Sequence, residues 1–247
     1  MVASVGADGV LLVDDDYSEY AMAYEQAVKA LSDEAVRFVV NTHWHGDHTG
    51  NNEFWGKREA VIVAHDNVRK RLSTLQVNKF FGRETPPADP TAWPLVSYGD
   101  SMALHLNGNT IELQHYPRGH TDGDTVVFFT TDNVVHMGDH FFKDRFPFVD
   151  MGSGGHAGNY AANVAAILAK VDADTVIVPG HGALANKADL QRYHDMLVET
   201  RAEVGGMKSS GMSLEQIQAR GLDLRWESWG TGFINEENWI VFLYASF

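Results

Sequence analysis

The residues best suited to chemistry are His43, His45, Asp47 and His48, four ligand-type side chains within six positions. Along an extended backbone side chains alternate, so His43 and His45 point the same way. Gly46 then permits a tight turn that delivers Asp47 and His48 to a second point close by. Such a segment can serve two neighbouring cations. Neutral imidazole and carboxylate suit zinc, and also iron or manganese. Three further residues sit in compatible settings: His120 in Gly119-His120-Thr121-Asp122-Gly123, Asp139 in His136-Met137-Gly138-Asp139, and His181 in Pro179-Gly180-His181-Gly182. Alone, His120 is a solvated turn histidine and Asp139 a turn carboxylate or helix cap. His181, between glycines at a strand exit, lies where backbone gives way to a close ligand.

These residues need elements to position them. Ser4-Val5-Gly6, Asp8-Gly9 and Val10–Val13 read as a hairpin. Ser18–Leu31 carries helical periodicity. Val36–Val40 is a short buried strand that runs straight into the histidine-rich segment. Val61–Ala64 reads as another strand, followed by a polar helix from Asp66 to about Leu75. The stretch from Phe80 to Gly99 holds four of the seven prolines and reads as an irregular loop. Met102–Met137 is β-rich. An Ala-rich helix, Tyr160–Val171, follows a glycine-bearing loop, and Thr175–Val178 is a strand that delivers His181. Helices are expected from Ala188 to about Val204, from Ser213 to Arg220, and from Glu236. No linker or repeat interrupts the chain, so residues 1–247 read as one domain of packed β and α layers.

Composition narrows the chemistry. The 247 residues include no cysteine, which removes disulfides, thiolate ligands and cysteine nucleophiles. The formal charge of −14 argues against binding nucleic acid or anionic membranes, since both need basic surface. No apolar run approaches the ~20 residues of a membrane span. Gly-x-Ser-x-Gly, Gly-x-Gly-x-x-Gly and Walker-type loops are absent, which leaves serine hydrolases and nucleotide-dependent enzymes without their motifs.

Taken in order, Thr42-His43-Trp44-His45-Gly46-Asp47-His48, Gly119-His120-Thr121, Gly138-Asp139 and Pro179-Gly180-His181-Gly182 resemble the metallo-β-lactamase superfamily over nearly the whole chain. The resemblance implies an α+β fold, a four-layer αββα sandwich with a two-metal site at one edge. It implies His43, His45 and His120 on a first zinc ion, Asp47, His48 and His181 on a second, and Asp139 as a bridging carboxylate like that of glyoxalase-II-like members. The stretch around Met137–Asp150 and the tail with Ser213-Leu214-Glu215 are similar to bacterial zinc hydrolases described as cyclase-like or lactamase-like. Full-length members of that group often carry an export signal and an extra N-terminal strand. Both would precede Met1, so a trimmed or mature form is expected.

The function so implied is hydrolysis of a cyclic or activated acyl bond in a small-molecule substrate: a β-lactam, a lactone or a thioester. Two zinc ions would supply a shared hydroxide at neutral pH, because metal binding lowers the pKa of water to ~7. Asp47 is the expected catalytic residue, orienting that nucleophile. Iron-dependent redox chemistry on the same fold is the alternative; nucleic-acid processing and non-catalytic metal binding fit less well. Lys143 stands where some lactamases place a lysine that pairs with the substrate carboxylate. His140 and His156 are candidates for substrate contact or proton transfer, whereas His65, His105, His115, His136 and His194 read as structural or solvated. Trp44, the 80–99 loop with Phe80, Phe81 and Trp93, and Phe141, Phe142, Phe146 and Phe148 are candidate pocket walls. They would favour a partly apolar substrate.

Overall fold

A computed structural model describes residues 1–78 and 80–247. They divide into two compact units: residues 1–116 with 123–138, and residues 117–122 with 139–247.

The first unit begins with β1 (Val2–Ser4) and β2 (Val10–Val13), then α1 (Ala21–Leu31), β3 (Val36–Val40), α2 (Gly46–Thr49) and α3 (Asn52–Gly56). It continues with β4 (Val61–His65), α4 (Asp66–Leu72), β5 (Gln76–Asn78), β6 (Arg83–Thr85) and β7 (Val96–Tyr98). The last strands are β8 (Ser101–Leu106), β9 (Asn109–His115), β10 (Thr125–Phe129) and β11 (Val134–His136). One sheet runs β1-β2-β3-β4-β7, with β2, β3, β4 and β7 parallel and β1 antiparallel at its edge. A second, antiparallel, runs β11-β10-β9-β8.

The uninterrupted apolar run of β2 follows from burial on both faces. Leu11 and Val13 pack with Val40, Val63, Ile111, Leu113, Val127 and Phe129, between the two sheets. Val10 and Leu12 face the other way, onto Val28 of α1 and Trp55 of α3. All four side chains are inaccessible. A parallel strand delivered this way ends with its chain emerging at one edge. There β3 releases Asn41 to His45 and α2 begins.

The 80–99 stretch differs from the irregular loop expected of it. It contains β6, a single 3-10 turn at Pro90–Ala92, and β7, which pairs with β4 from Val63↔Val96 to His65↔Tyr98. Its prolines fall between these pieces: Pro90 opens the turn and Pro94 precedes β7, where no ladder donor is lost. Gly46 also has another role than the one expected. It opens α2 with a β-carbon position almost clear of neighbours, so no tight turn demands glycine there.

The second unit holds α5 (Ala157–Leu168), β12 (Val176–Val178), α6 (Lys187–Ser209), α7 (Leu214–Arg220) and α8 (Glu236–Tyr244). Reciprocal capping boxes start α6 (Asn186 with Asp189) and α7 (Ser213 with Gln216). α6 outruns its expected end at Val204, passing Gly205, whose missing side chain makes room for the Phe247 ring. Tyr160, Tyr193, Trp239 and Phe242 are fully buried. Among the described residues no helix is long and apolar enough to cross a membrane.

Candidate metal centre

In the first unit the ligand-type residues are held from behind by one carboxylate. Asp14 follows β2 and is buried, with φ of 58°. Its Oδ1 accepts the Thr42 backbone N–H at 2.7 Å; its Oδ2 accepts the Thr42 hydroxyl at 2.9 Å and faces His48 Nδ1 at 2.8 Å. An ionised carboxylate has only acceptors to offer, so His48 must donate from Nδ1, which leaves Nε2 as a lone pair. Burial pushes the Asp14 carboxyl up, but His48, His136 and the Thr42 N–H outweigh it and hold it below the usual carboxylate range. Since the Thr42 hydroxyl gives its proton to Asp14, it accepts from His43 Nδ1 at 3.1 Å, and His43 Nε2 is likewise a lone pair.

Both of these ring nitrogens face another ligand-type atom. His43 Nε2 is 3.1 Å from His45 Nδ1, and His48 Nε2 is 3.5 Å from Asp47 Oδ2. The shared direction expected of His43 and His45 is thus present, with His45 as the N-terminal cap residue of α2.

The second unit repeats the pattern. Residues 117–122 are pinned by backbone bonds from Asp150 N to the His120 carbonyl and from His156 N to the Gly119 carbonyl, both 2.9 Å. His120 Nδ1 donates to the Phe148 carbonyl at 2.8 Å, which leaves its Nε2 as the lone pair. That nitrogen lies 3.3 Å from Asp139 Oδ2, and the same oxygen lies 3.4 Å from His181 Nε2. The ring of His181 stacks on Phe142 with centroids 4.8 Å apart. Asp139 is fixed through its main chain: the Tyr160 hydroxyl donates to its carbonyl, and the Tyr193 hydroxyl is 2.8 Å from that of Tyr160. Tyr160 spends its proton on Asp139, so Tyr193 donates to Tyr160 while accepting the Phe142 N–H. Full burial, the largest influence, pushes the Tyr193 phenol far up and keeps it protonated.

Zinc bonds to nitrogen and oxygen are about 2.0–2.2 Å, so neighbouring ligand atoms in a tetrahedral site lie about 3.3–3.6 Å apart. The four separations within the units, 3.1, 3.3, 3.4 and 3.5 Å, are close to that edge length. Ligand-type atoms gathered at such distances can share a cation, and a backing hydrogen bond on the far ring nitrogen, as His48 and His120 have, is the usual support of a histidine ligand. The donor set therefore fits a metal. His43, His45, Asp47 and His48 of the first unit, and His120, Asp139 and His181 of the second, are each the kind of side chain that could hold one.

Several other expectations resolve differently. Lys143 pairs with Asp189 at 3.0 Å and donates to the Leu184 carbonyl at 2.9 Å, which occupies it within its own unit. Phe141, Phe142, Phe146 and Phe148 are buried, Phe142 and Phe148 against the rings of His181 and His120, and Trp44 packs with Ala64, Val68, Leu72 and Trp93. His140 is buried beside Asn163, which bridges it at 3.1 Å to the Pro117 carbonyl at 3.0 Å. A side chain at Gly119 would run into that His140 ring. His156 is an N-cap whose Nδ1 accepts from Asn159 N at 3.2 Å; burial, then Arg118 and Arg201, lower its pKa. Sequence reasoning missed Asp14, Thr42, Tyr160 and Tyr193. The run Asp14-Asp15-Asp16 after a buried strand was the available signal for the first.

A family profile described as the metallo-beta-lactamase superfamily matches residues 6–181. Among solved structures, the metallo-beta-lactamase from Pontibacter korlensis is 16% identical, with a TM-score of 0.66 over 79% of this chain and 85% of that one. The DIM-1 metallo-beta-lactamase is 18% identical, with a TM-score of 0.62 over 80% of this chain and 85% of that one. The stereoselective inverting sec-alkylsulfatase Pisa1 from Pseudomonas sp. is 15% identical, with a TM-score of 0.72 over 99% of this chain but 46% of its own length. The α+β sandwich expected from the sequence is the fold these structures share, and the chain belongs to the metallo-beta-lactamase superfamily.

Proposed function

We propose that the protein is a dinuclear zinc hydrolase that opens a cyclic or activated acyl bond, as in a β-lactam, a lactone or a thioester. In this reading His43, His45 and His120 would hold one ion and Asp47, His48 and His181 the other, with Asp139 available to both. One observation carries it: a single oxygen of Asp139 stands 3.3 Å from His120 Nε2 and 3.4 Å from His181 Nε2, where it can serve both ligand groups at once. When bound, such ions supply Lewis acidity and a water-derived nucleophile at neutral pH. The protein's own groups do the rest. Asp14 and the Phe148 carbonyl fix the tautomers of His48 and His120, and Asp47 orients the attacking water and takes its proton.

A second reading, hydrolysis of an alkyl sulfate, is favoured by the alignment with the alkylsulfatase. That alignment spans 99% of the chain and so takes in the C-terminal helices, beyond the profile match that ends at residue 181. Elemental analysis of protein purified without added metal, with assays on a β-lactam, a lactone, a thioester and an alkyl sulfate, tests both. About two zinc ions per chain, with turnover of an acyl substrate, are expected. Sulfate turnover alone selects the second reading, and iron without hydrolysis refutes both. Asp139→Ala should lower the stoichiometry; unchanged metal content and activity would remove the bridging role.

A further inference from the structure

The second unit carries a groove that the proposed hydrolysis does not use. It lies between the last turns of α6 and the segment that follows α7, and holds about 850 Å³. Small-molecule sites are typically of roughly 300–1,000 Å³. One bank is the α6 face that presents Ala202, Gly206 and Ser210 at i, i+4 spacing, with Met207 beside them. The other bank is Arg220 to Arg225. Tyr193, which reaches Asp139 through Tyr160, stands on the same helix about 20 Å from Gly206 at ~1.5 Å rise per residue. The groove is therefore a different place from the ligand-type residues of this unit.

Its banks are held by specific bonds. Gly221 ends α7 with φ of 74°, and a β-carbon there would stand 2.7 Å from Glu236 Oε1. That oxygen accepts the Leu222 N–H at 3.1 Å. From α6, Glu203 accepts the Asp223 N–H and the Trp226 indole N–H, both at 3.0 Å. The concavity is thus preformed. Gly206 has no packing reason to be glycine, which is unfavourable inside a helix. At Gly205 the missing side chain makes room for the Phe247 ring, but a β-carbon at Gly206 would meet nothing within 4 Å. Gly206 instead widens the groove.

The lining sets the chemistry of an occupant. Leu222 is buried, Met207 partly so, and Leu224 is 84% exposed. Three of the four charged lining residues are engaged. Arg225 pairs with Glu199 at 2.7 Å and lies over the Trp226 ring, Glu203 accepts the two N–H groups above, and Asp223 Oδ1 accepts the Arg225 N–H at 3.0 Å. Arg220 has no hydrogen-bond or ion-pair partner among the described residues. A guanidinium open to a ligand, beside apolar side chains, matches an anion with an apolar body. On a chain of formal charge −14, an anion needs such a local cation to offset the general repulsion.

We propose that the groove between α6 and residues 220–225 is a second ligand site, which takes an amphipathic anion: a carboxylate or sulfonate on an aryl or alkyl body. Arg220 binds the charged group, and Met207, Leu222 and Leu224 cover the body.

The probe is anilinonaphthalene sulfonate, followed by fluorescence and calorimetry, with uncharged phenylnaphthylamine beside it. One sulfonate per chain should bind, equally well to zinc-loaded and metal-free protein. Arg220→Gln should weaken the sulfonate about three- to fivefold, the range of an exposed ion pair, and leave the uncharged probe within about twofold. Ala202→Gln/Gly206→Gln fills the groove with polar side chains and should weaken both probes on the order of tenfold or more. Both positions are exposed, and glutamine is a better helix former than glycine, so the variant is expected to fold. Val198→Gln, exposed on the same helix outside the groove, is the control and should bind as wild type does. An affinity that depends on zinc would put the sulfonate at the metal centre and overturn the proposal. So would a wild-type protein that binds neither probe, or a double-glutamine variant that binds both normally. Unchanged sulfonate affinity in Arg220→Gln would overturn the anion assignment. A groove variant that turns a dimer into a monomer on gel filtration would give the groove to a second copy and overturn the site as a whole.

Discussion

Asp14→Asn is the substitution that asks most of the proposed centre, because it changes no ligand and almost no volume. The carboxylate meets three donors at 2.7, 2.9 and 2.8 Å: the Thr42 N–H, the Thr42 hydroxyl and His48 Nδ1. An asparagine can keep its carbonyl on the Thr42 N–H, but its NH2 then faces the Thr42 hydroxyl and His48. To pair with that NH2, His48 must accept at Nδ1 and carry its proton on Nε2, the nitrogen directed toward Asp47. A protonated Nε2 cannot ligate. Loss of such a backing carboxylate costs about 10–100-fold in metal affinity, or about 1.4–2.7 kcal/mol at 1.36 kcal/mol per decade. The loss should be largest at the ion held by His48, but the Thr42 hydroxyl, no longer donating to Asp14, can turn its proton onto His43 Nδ1 and weaken the other ion as well; His120 alone keeps its tautomer, set by the Phe148 carbonyl.

Competition with a chromophoric chelator reads this directly: one zinc should weaken by that factor, and the other, which depends on His43, should weaken less. The nitrogen chemical shifts of His48 should report the reversed tautomer. Wild-type affinity at both positions, with His48 still protonated on Nδ1, would refute the tautomer argument. The metal-free protein carries a pH signature of the same residue. The Asp14 carboxyl sits below the usual range, so its contribution to stability is complete above ~3.9, its unfolded value, and is lost as pH falls through the lower folded one. In Asp14→Asn that acid-side loss should shrink.

Asp15 behaves in the opposite sense. Burial first, then the Asp14 charge, raise its carboxyl well above the usual range, so stability declines as pH rises from ~3.9 toward the folded value. Asp15→Asn, which can still accept from Asn51 N, should stabilise the protein at neutral pH by about 1 kcal/mol, or ~2–4 °C in Tm; a gain that does not grow as pH rises above ~3.9, the unfolded value, would remove the explanation. Tyr160→Phe deletes the hydroxyl that holds the Asp139 carbonyl and accepts from Tyr193, and should cost about 1–3 kcal/mol. It should also weaken zinc several-fold, and lost stability with wild-type affinity would confine Tyr160 to the core. Gly119→Ala presses on His140, with Asn163 Nδ2 3.0 Å from the added carbon. It should lower Tm in the range of overpacked cores, about 1–3 kcal/mol, whereas a neutral outcome in thermal melts would show that the 117–122 strap is not held by that contact.

The sequence announced the residues that bear lone pairs more readily than the elements that carry them. His43, His45, Asp47 and His48 share one short segment, and their types alone limit what they can do. Parallel strands such as β2 and β3 were legible because burial on both faces makes them continuous apolar runs. β7 was not, because three residues among prolines carry no periodicity, and its place is set by hydrogen bonds to β4 that lie outside its own sequence. The Phe141–Phe148 stretch misled for a related reason. It has no regular structure to reveal which way its aromatics face; in the fold Phe141 and Phe146 turn inward onto Tyr193 and Trp239, while Phe142 and Phe148 back the rings of His181 and His120.

The partners that orient the ligands were the least legible of all, and the cause is distance along the chain. Asp14 lies 34 residues before His48, and the Phe148 carbonyl 28 residues after His120. A backbone carbonyl leaves no trace in side-chain chemistry, so no pattern of residue types could point to the second. The first is marked only by its place: an aspartate at the end of a strand buried on both faces must find donors, because an unpaired buried carboxylate is too costly to keep. Asp14 finds them in Thr42 and His48, at the exit of the neighbouring parallel strand. The parallel pairing of β2 with β3 is what brings the two strand ends together, with Val13 opposite Val40. The register that buries four apolar residues therefore also selects the nitrogen that His48 presents, and a one-residue slip in that pairing would displace Asp14 from the ligand it orients.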